Sequence, residues 1–214
     1  MYKLIVFDLD GTLADTSEGI YNAHRAACAA LKINLSEHSL DGVIGGALID
    51  IYQERFGLSI DAARKAIDIY REWYQNYGIH QAAIYPGIEE LLAKLQSMDF
   101  FLGVATLKRE DFAVQMLSDM GIKKYFNCIC GMDKKDTLNK ELLIRECMRH
   151  TDASAKDTVL VGDTKSDYMG ALKTKVDFIG VTYGFGFNLN TSKKMSIRTV
   201  NNVEELLNII IKDS

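Results

Sequence analysis

Long hydrophobic runs are missing from this sequence. None approaches the roughly 18 residues that a membrane-crossing helix needs, so no membrane partner is expected. An excess of basic charge is missing too. The 214 residues carry 25 Lys and Arg against 29 Asp and Glu, a formal net charge of −4. That balance offers nucleic acid and anionic membranes no general attraction. Cysteine is sparse: Cys28, Cys128, Cys130 and Cys147 form no C-x-x-C, and no Cys/His spacing suggests zinc. They read as buried, reduced thiols of a cytoplasmic chain rather than as disulfides or metal ligands. Met-Tyr-Lys runs directly into an apolar stretch, without the pattern of a signal peptide. No internal repeat or low-complexity tract stands out. No G-x-x-x-x-G-K-[ST] loop occurs, which leaves a nucleoside-triphosphate machine unsupported. Gly184-Phe185-Gly186 is not a dinucleotide fingerprint, because it does not open a helix inside a βαβ unit. It reads as a turn.

What is present is material for a core. Hydrophobic residues make up 48% of the chain and charged residues 25%, proportions that support a packed domain and argue against disorder. Five short apolar runs read as buried strands: Leu4 to Leu9, Phe101 to Ala105, Cys128 to Cys130, Thr158 to Val161 and Phe178 to Val181. Between them apolar residues recur at helical spacing. Ile88, Leu91, Leu92 and Leu95 follow Pro86-Gly87. Phe112, Met116, Leu117 and Met120 precede Gly121, a helix stop. Leu142, Leu143 and Cys147 follow Asn139, an N-cap residue, and Val203, Leu206, Leu207 and Ile210 form a last helix. Strands alternating with helices predict an α/β fold with a parallel sheet covered on both faces.

The stretch from Thr16 to Ile84 breaks that rhythm. It is far longer than an ordinary connection and reads as helix without a strand. Ile20, Ala23, Ala27 and Leu31 share one helical face; Ala63, Ile67, Tyr70 and Tyr74 share another after a Ser59 cap. The expectation is a core domain over 1–15 and 85–214 with an inserted α-helical cap over 16–84, hinged near Asp15–Ser17 and Ala83–Pro86.

Acids cluster where strands end. In an open parallel sheet, ligands bind at the carboxyl ends of strands. Asp8 and Asp10 lie at that end of the first strand, Thr106 closes the second, and Gly162-Asp163 closes the fourth, with Asp167 four residues on. Any one of these is commonly a turn residue. Together they put up to four carboxylates at one edge. Two like charges 4 Å apart repel by roughly 4 kcal/mol at an effective dielectric near 20. Such a group needs a hard dication with oxygen ligands, for which Mg²⁺ is the natural choice, and a lysine to neutralise the remainder. Lys134, Lys135 and Lys140 all precede Asp163.

DLDGT after an apolar strand, a Thr ending the second strand, a Lys opening a later helix and then GDTKSD resemble the haloacid dehalogenase superfamily, and most of all its phosphoglycolate phosphatase group with a helical cap. The order of motifs covers nearly the whole chain. The resemblance implies a Rossmann-like three-layer core with a parallel sheet of order 5-4-1-2-3, the five runs above being numbered along the chain. It also implies a Mg²⁺-dependent phosphatase that works through an aspartyl phosphate on a small phosphorylated metabolite, as a monomer or homodimer. Asp8 is then the nucleophile and a metal ligand, Asp10 the acid and base. The resemblance adds that Asp10 binds the metal through its backbone carbonyl. Asp163 then binds the metal directly and Asp167 directly or through water, and Thr106 donates to a phosphate oxygen. The N-K pattern before an apolar helix favours Lys140 as the stabilising cation.

Substrate contacts are expected from Gly11, whose backbone comes close to phosphate, and from Thr12, which holds the acidic loop by a local hydrogen bond. Lys108 reads either as a contact for an anionic substrate tail or as a solvated strand-end lysine; in the cap His24, Arg25 and Arg55 are candidates, the alternatives being a partly buried histidine and exposed helix cations. Tyr70, Tyr74 and Tyr77 read as cap packing. One position departs from the family: Leu107 stands where relatives commonly carry Asn. The same core would serve a phosphomutase of the β-phosphoglucomutase type or a pyrophosphatase. A receiver-like phosphoacceptor protein is the alternative from another class, and it lacks both the helical insert and a late G-D-x-x-x-D.

Overall fold

The computed structural model describes residues 2–34, 40, 42–188 and 197–213. Its centre is β1 (Leu4–Phe7), a fully buried Leu-Ile-Val-Phe run. This strand pairs in parallel with β4 (Phe101–Arg109) on one side and β6 (Thr158–Gly162) on the other. Beyond them lie β5 (Cys128–Met132) and β7 (Asp177–Val181), and a short parallel strand, β8 (Thr199–Val200), adds an edge. The sheet order is β5-β4-β1-β6-β7-β8. Read from the other edge, this is the expected five-strand order with one strand more. Two residues without alternation gave no sequence signal for β8; its pairing to Gly180 and Val181 makes it a strand.

Alternation along β1 splits the core into two layers. Ile5 and Phe7 face a cluster with residues of α4 (Ile88–Ser97), α5 (Glu110–Asp119) and α8 (Val203–Asp213). Leu4 and Val6 face the opposite cluster, built with α6 (Lys140–Thr151) and α7 (Lys165–Thr174). Period-two side-chain alternation thus gives a strand two apolar faces, and helices cover both. Burial of each large aliphatic or aromatic side chain contributes about 1.5–3 kcal/mol.

Strand ends differ from expectation at two places that matter. β1 stops at Phe7 rather than Leu9, because the Leu9 carbonyl accepts from the amides of Leu13 and Ala14 and the chain turns back. β4 runs past Ala105 to Arg109, and its register against β5 shifts between Ala105 and Arg109. Thr106 therefore sits at an irregularity inside the strand instead of closing it.

The chain divides into two compact units, one of Met1–Asp15 with Ala83–Ser214 and one of Thr16–Ala82. In the first unit β2 (Ala14–Asp15) pairs antiparallel with β3 (Ala83–Ile84). Ala83 and Ile84, read from sequence as part of the helical stretch, are strand residues by virtue of this pairing.

The second unit is helical. α1 (Ser17–Ala30) buries Ile20, Ala23, His24, Ala27 and Cys28, and α3 (Ile60–Asn76) buries Ala63, Ala66, Ile67, Tyr70 and Tyr74. Between them α2 (Leu48–Asp50) continues into a π-helical turn, Ile51–Arg55. Ser59 caps α3 by accepting from the Ala62 amide at 3.3 Å. Tyr70 and Tyr74 stack within the unit, their ring centres 5.8 Å apart, whereas Tyr77 is 59% exposed. At Gly19 a Cβ would stand 2.2 Å from the Gly78 carbonyl oxygen. Gly19→Ala is expected to destabilise the chain by about 1–3 kcal/mol through overpacking, read as a lower urea midpoint.

Candidate active site

Each site residue is placed by an element whose sequence explains its position. Asp8 follows β1 directly, and its amide donates to the Val161 carbonyl at 2.9 Å, which carries sheet pairing one residue past the strand. Gly11 then takes φ +82°, in the left-handed region that glycine enters without penalty. A Cβ there would stand 2.3 Å from Asp163 Oδ2. Close approach of Asp163 is thus the reason for glycine at position 11 that the structure displays. Asp163 follows β6. Asp167 lies in the first turn of α7, where Thr164 and Asp167 form a reciprocal capping box. Lys140 is the first residue of α6, whose N-cap Asn139 accepts from the Leu142 amide at 3.0 Å.

These placements bring Asp8, Asp163 and Asp167 into one buried group, with one carboxylate oxygen from each lying within 4.8 Å of the others. Lys140 enters the same group. Its Nζ lies 2.7 Å from Asp8 Oδ1 and 2.7 Å from Asp167 Oδ1, and donates to the Ala105 carbonyl at 2.8 Å. Lys134 and Lys135 are exposed and take no part. The lysine stem has room because of Gly170, where a Cβ would stand 2.6 Å from Lys140 Cγ.

Three buried carboxylates against one ammonium leave an excess of negative charge. The carboxyl groups register it. Burial, reinforced by the charges of Asp167 and Asp10 against the opposing pull of Lys140, raises Asp8 to about 7. Burial and the neighbouring Asp167 and Asp8 push Asp163 well above the usual carboxylate range. Burial works against the Lys140 ammonium, yet Asp167 and Asp8 raise its pKa on balance, so the lysine is a fixed cation. Oxygen donors with surplus negative charge suit a hard divalent ion. Asp8, Asp163 and Asp167 are the side chains that can hold it.

Asp10 stands outside that trio. The extended chain ends at Phe7, so simple alternation does not carry the Asp10 carboxylate into the group. Its Oδ1 lies 3.0 Å from Lys108 Nζ, and both side chains are largely buried. Lys108, expected to meet an anionic substrate tail, is thereby engaged by Asp10. Thr106 is buried beside them, and its Oγ1 accepts from the Lys108 amide at 3.1 Å. Thr12 donates to Asp163 Oδ1 across a long 3.4 Å contact, a tertiary link rather than the local bond expected.

The cap candidates fall in the second unit. His24 is fully buried there. Its Nδ1 is 3.1 Å from the Tyr52 hydroxyl, and its ring lies against Tyr70 at 4.7 Å. Burial lowers its pKa to about 3, so it is a neutral core imidazole. Arg25 is exposed and donates to Asn22 at 3.0 Å; Arg55 is exposed on the π-helical turn.

Sequence reasoning put the Gly184-Phe185-Gly186 turn near the active edge and missed its grip on Asp163. The amides of Phe185 and Gly186 donate to Asp163 Oδ2 at 2.7 and 3.3 Å, and the Phe187 amide donates to the Asp163 carbonyl at 2.7 Å. Gly184 allows the approach, since a Cβ there would stand 2.2 Å from the Gly11 carbonyl oxygen. The Gly-Phe-Gly run after the fifth predicted strand was the available signal.

Removing the Lys140 charge tests this electrostatic account. Lys140→Met leaves Asp8 and Asp167 buried without their cation, a change that costs about 3–5 kcal/mol. A carboxyl group with a raised folded pKa favours folding below its unfolded pKa and loses that contribution as pH rises through the folded value. Urea unfolding of the metal-free variant is therefore expected to show a larger deficit at about pH 8 than at about pH 5.5.

Known proteins resemble this chain over most of its length. The family model described as haloacid dehalogenase-like hydrolase matches residues 5–181. A 5'-nucleotidase of Pseudomonas aeruginosa is 34% identical over 187 residues, 86% of this chain and 85% of its own length. A phosphoglycolate phosphatase of Vibrio parahaemolyticus is 28% identical over 218 residues, covering 97% of this chain and 96% of the relative. The crystal structure of a predicted phosphatase from Clostridium acetobutylicum superposes with a TM-score of 0.94 at 34% identity and covers 99% of each chain. The chain belongs to the haloacid dehalogenase-like hydrolases, among the phosphatases of that family.

Proposed function

We propose that the protein hydrolyses a small phosphate monoester, of the phosphoglycolate kind, through a phosphoenzyme on Asp8 with Mg²⁺ as cofactor. The observation that carries this reading is the division of labour among the acids. Asp8 shares a buried group with Asp163, Asp167 and Lys140, while Asp10 is held apart by Lys108. One set suits a metal and a nucleophile; the other suits proton transfer.

Asp8, Asp163 and Asp167 would hold the Mg²⁺, which would neutralise phosphate charge and orient the transferring group. Lys140 fixes Asp8 Oδ1, and we assign the attack on phosphorus to the other carboxylate oxygen. As the new P–O bond forms, the ester P–O bond breaks, and Asp10 gives its proton to the departing alcohol oxygen. Asp10 then takes a proton from a water molecule whose oxygen attacks the same phosphorus. The acyl-phosphate P–O bond breaks, phosphate leaves and both carboxyl groups return to their starting states. Thr106 would donate to a non-bridging oxygen, and Lys140 would offset charge that grows there. Four free, buried cysteines support a reducing cytoplasmic setting. Among the described residues no helix is long and apolar enough to cross a membrane.

Asp8→Asn is expected to lower turnover of p-nitrophenyl phosphate by at least about a thousandfold. Chelation by EDTA is expected to silence the parent enzyme, and Mg²⁺ to restore it. Rapid quenching with labelled substrate should trap phosphate on Asp8, and Asp10→Asn should prolong the life of that species. A variant lacking Asp8 that turns over normally, or an enzyme indifferent to chelation, contradicts the reading.

A further inference from the structure

Three of the four cysteines meet in space. Cys128 and Cys130 lie two residues apart on β5 and face the same side of the sheet; Cys147 comes to them from α6. Their sulfurs all lie within 4.8 Å of one another. None is more than 8% exposed, and none is in a disulfide. No metal-binding motif announced them, because the sequence separates Cys147 from Cys130 by a loop and two helical turns. Helix and strand packing closes that gap.

The floor beneath the sulfurs is a glycine. Gly103 on β4 pairs with Cys128, and a Cβ at that position would stand 3.1 Å from Cys128 Sγ and 3.4 Å from Cys147 Sγ. The neighbouring strand thus keeps its side-chain volume out of the space the thiols share. Cys128 Sγ donates to the Cys147 carbonyl at 3.9 Å and Cys147 Sγ to the Val104 carbonyl at 3.3 Å, so backbone of α6 and β4 holds two of the thiols in place. The proximity of the three sulfurs lowers the pKa of Cys128 and raises those of the other two. Arg149 and His150, in the last turn of α6, act electrostatically on Cys130, and Glu146 acts on Cys128.

We propose that Cys128, Cys130 and Cys147 form a three-sulfur site for a soft monovalent d¹⁰ cation, Cu(I). Thiolates select soft metals. At a metal–sulfur distance of about 2.3 Å, three sulfurs around one ion stand about 4 Å apart, within the spacing observed. Structural zinc is almost always four-coordinate. Here the group comprises three sulfurs, with no carboxylate or imidazole joining it among the described residues. Cu(I) accepts threefold coordination. On binding, two thiols give up their protons to solvent as two Cu–S bonds form, and the third sulfur completes the coordination as a neutral donor. No electron is transferred. The ion would tie β5 to α6, the helix whose first residue is Lys140.

The test uses the reduced full-length protein under anaerobic conditions. Cu(I) buffered by bathocuproine disulfonate is added and loss of the coloured chelate is followed. The expected result is uptake of one equivalent per chain, lost in Cys147→Ala and in the Cys128→Ser/Cys130→Ser double variant and retained in Cys28→Ser. Ag(I), a redox-inert substitute, is expected to raise the unfolding temperature of the parent and leave Cys147→Ala unchanged; circular dichroism checks that each variant is folded. No uptake against the chelator overturns the proposal. So does uptake that survives in the double variant, or tight binding of Zn²⁺ in place of Cu(I).

Discussion

The Lys140 ammonium, closed between Asp8 and Asp167 at 2.7 Å on either side, is the contact on which the rest of the molecule depends. Carboxylates withdrawn from water repel one another, and each loses several kcal/mol of hydration. One cation shared by two of them offsets part of both terms. Its position is set by local features of the chain. Asn139 fixes where α6 begins, and Gly170 leaves space for the lysine stem to pass. The charge that Lys140 leaves uncompensated is what would suit the site to a metal ion.

The parallel sheet gathers these groups from distant parts of the chain. β1 and β6 are hydrogen-bonded neighbours, so Asp8 and Asp163, 155 positions apart, emerge side by side. Glycines finish the convergence. Gly11 and Gly184 each lack the atom that would collide with the other's surroundings, and Asp163 occupies the space between them. The amides of Phe185 and Gly186 then fix which way Asp163 Oδ2 points. Preorganisation of this kind is built from backbone approach as much as from side-chain chemistry.

Asp8 and Asp163 were legible in the sequence because each sits where an apolar strand gives way to a turn, and Lys140 because its N-K pattern before an apolar helix resembles the family's. The layered sheet was legible because short apolar runs alternate with helical spacing. Partnerships were not. Nothing local tells that Lys108 meets Asp10, that Thr12 reaches Asp163, or that three cysteines share one space. Those contacts depend on register and on which faces meet, and spacing along the chain encodes neither. His24 shows the opposite limit. From the sequence it reads either as a substrate contact or as a partly buried core residue, and its neighbours Tyr52 and Tyr70 decide for the core. β8 stayed hidden because two residues have no period.

Asp167 carries two duties on one carboxyl group. Oδ2 accepts from the Thr164 amide and hydroxyl at 2.9 and 2.5 Å, which starts α7, while Oδ1 faces Lys140. Asparagine at this position could preserve the cap and would forfeit the charge; glutamate would keep the charge and displace the cap. A substitution at residue 167 must consequently meet the cap and the ion pair at once, beside any ion the carboxylate would hold, and few side chains satisfy them all. A helix start has become hostage to an ion pair, so the chain cannot relax one without disturbing the other.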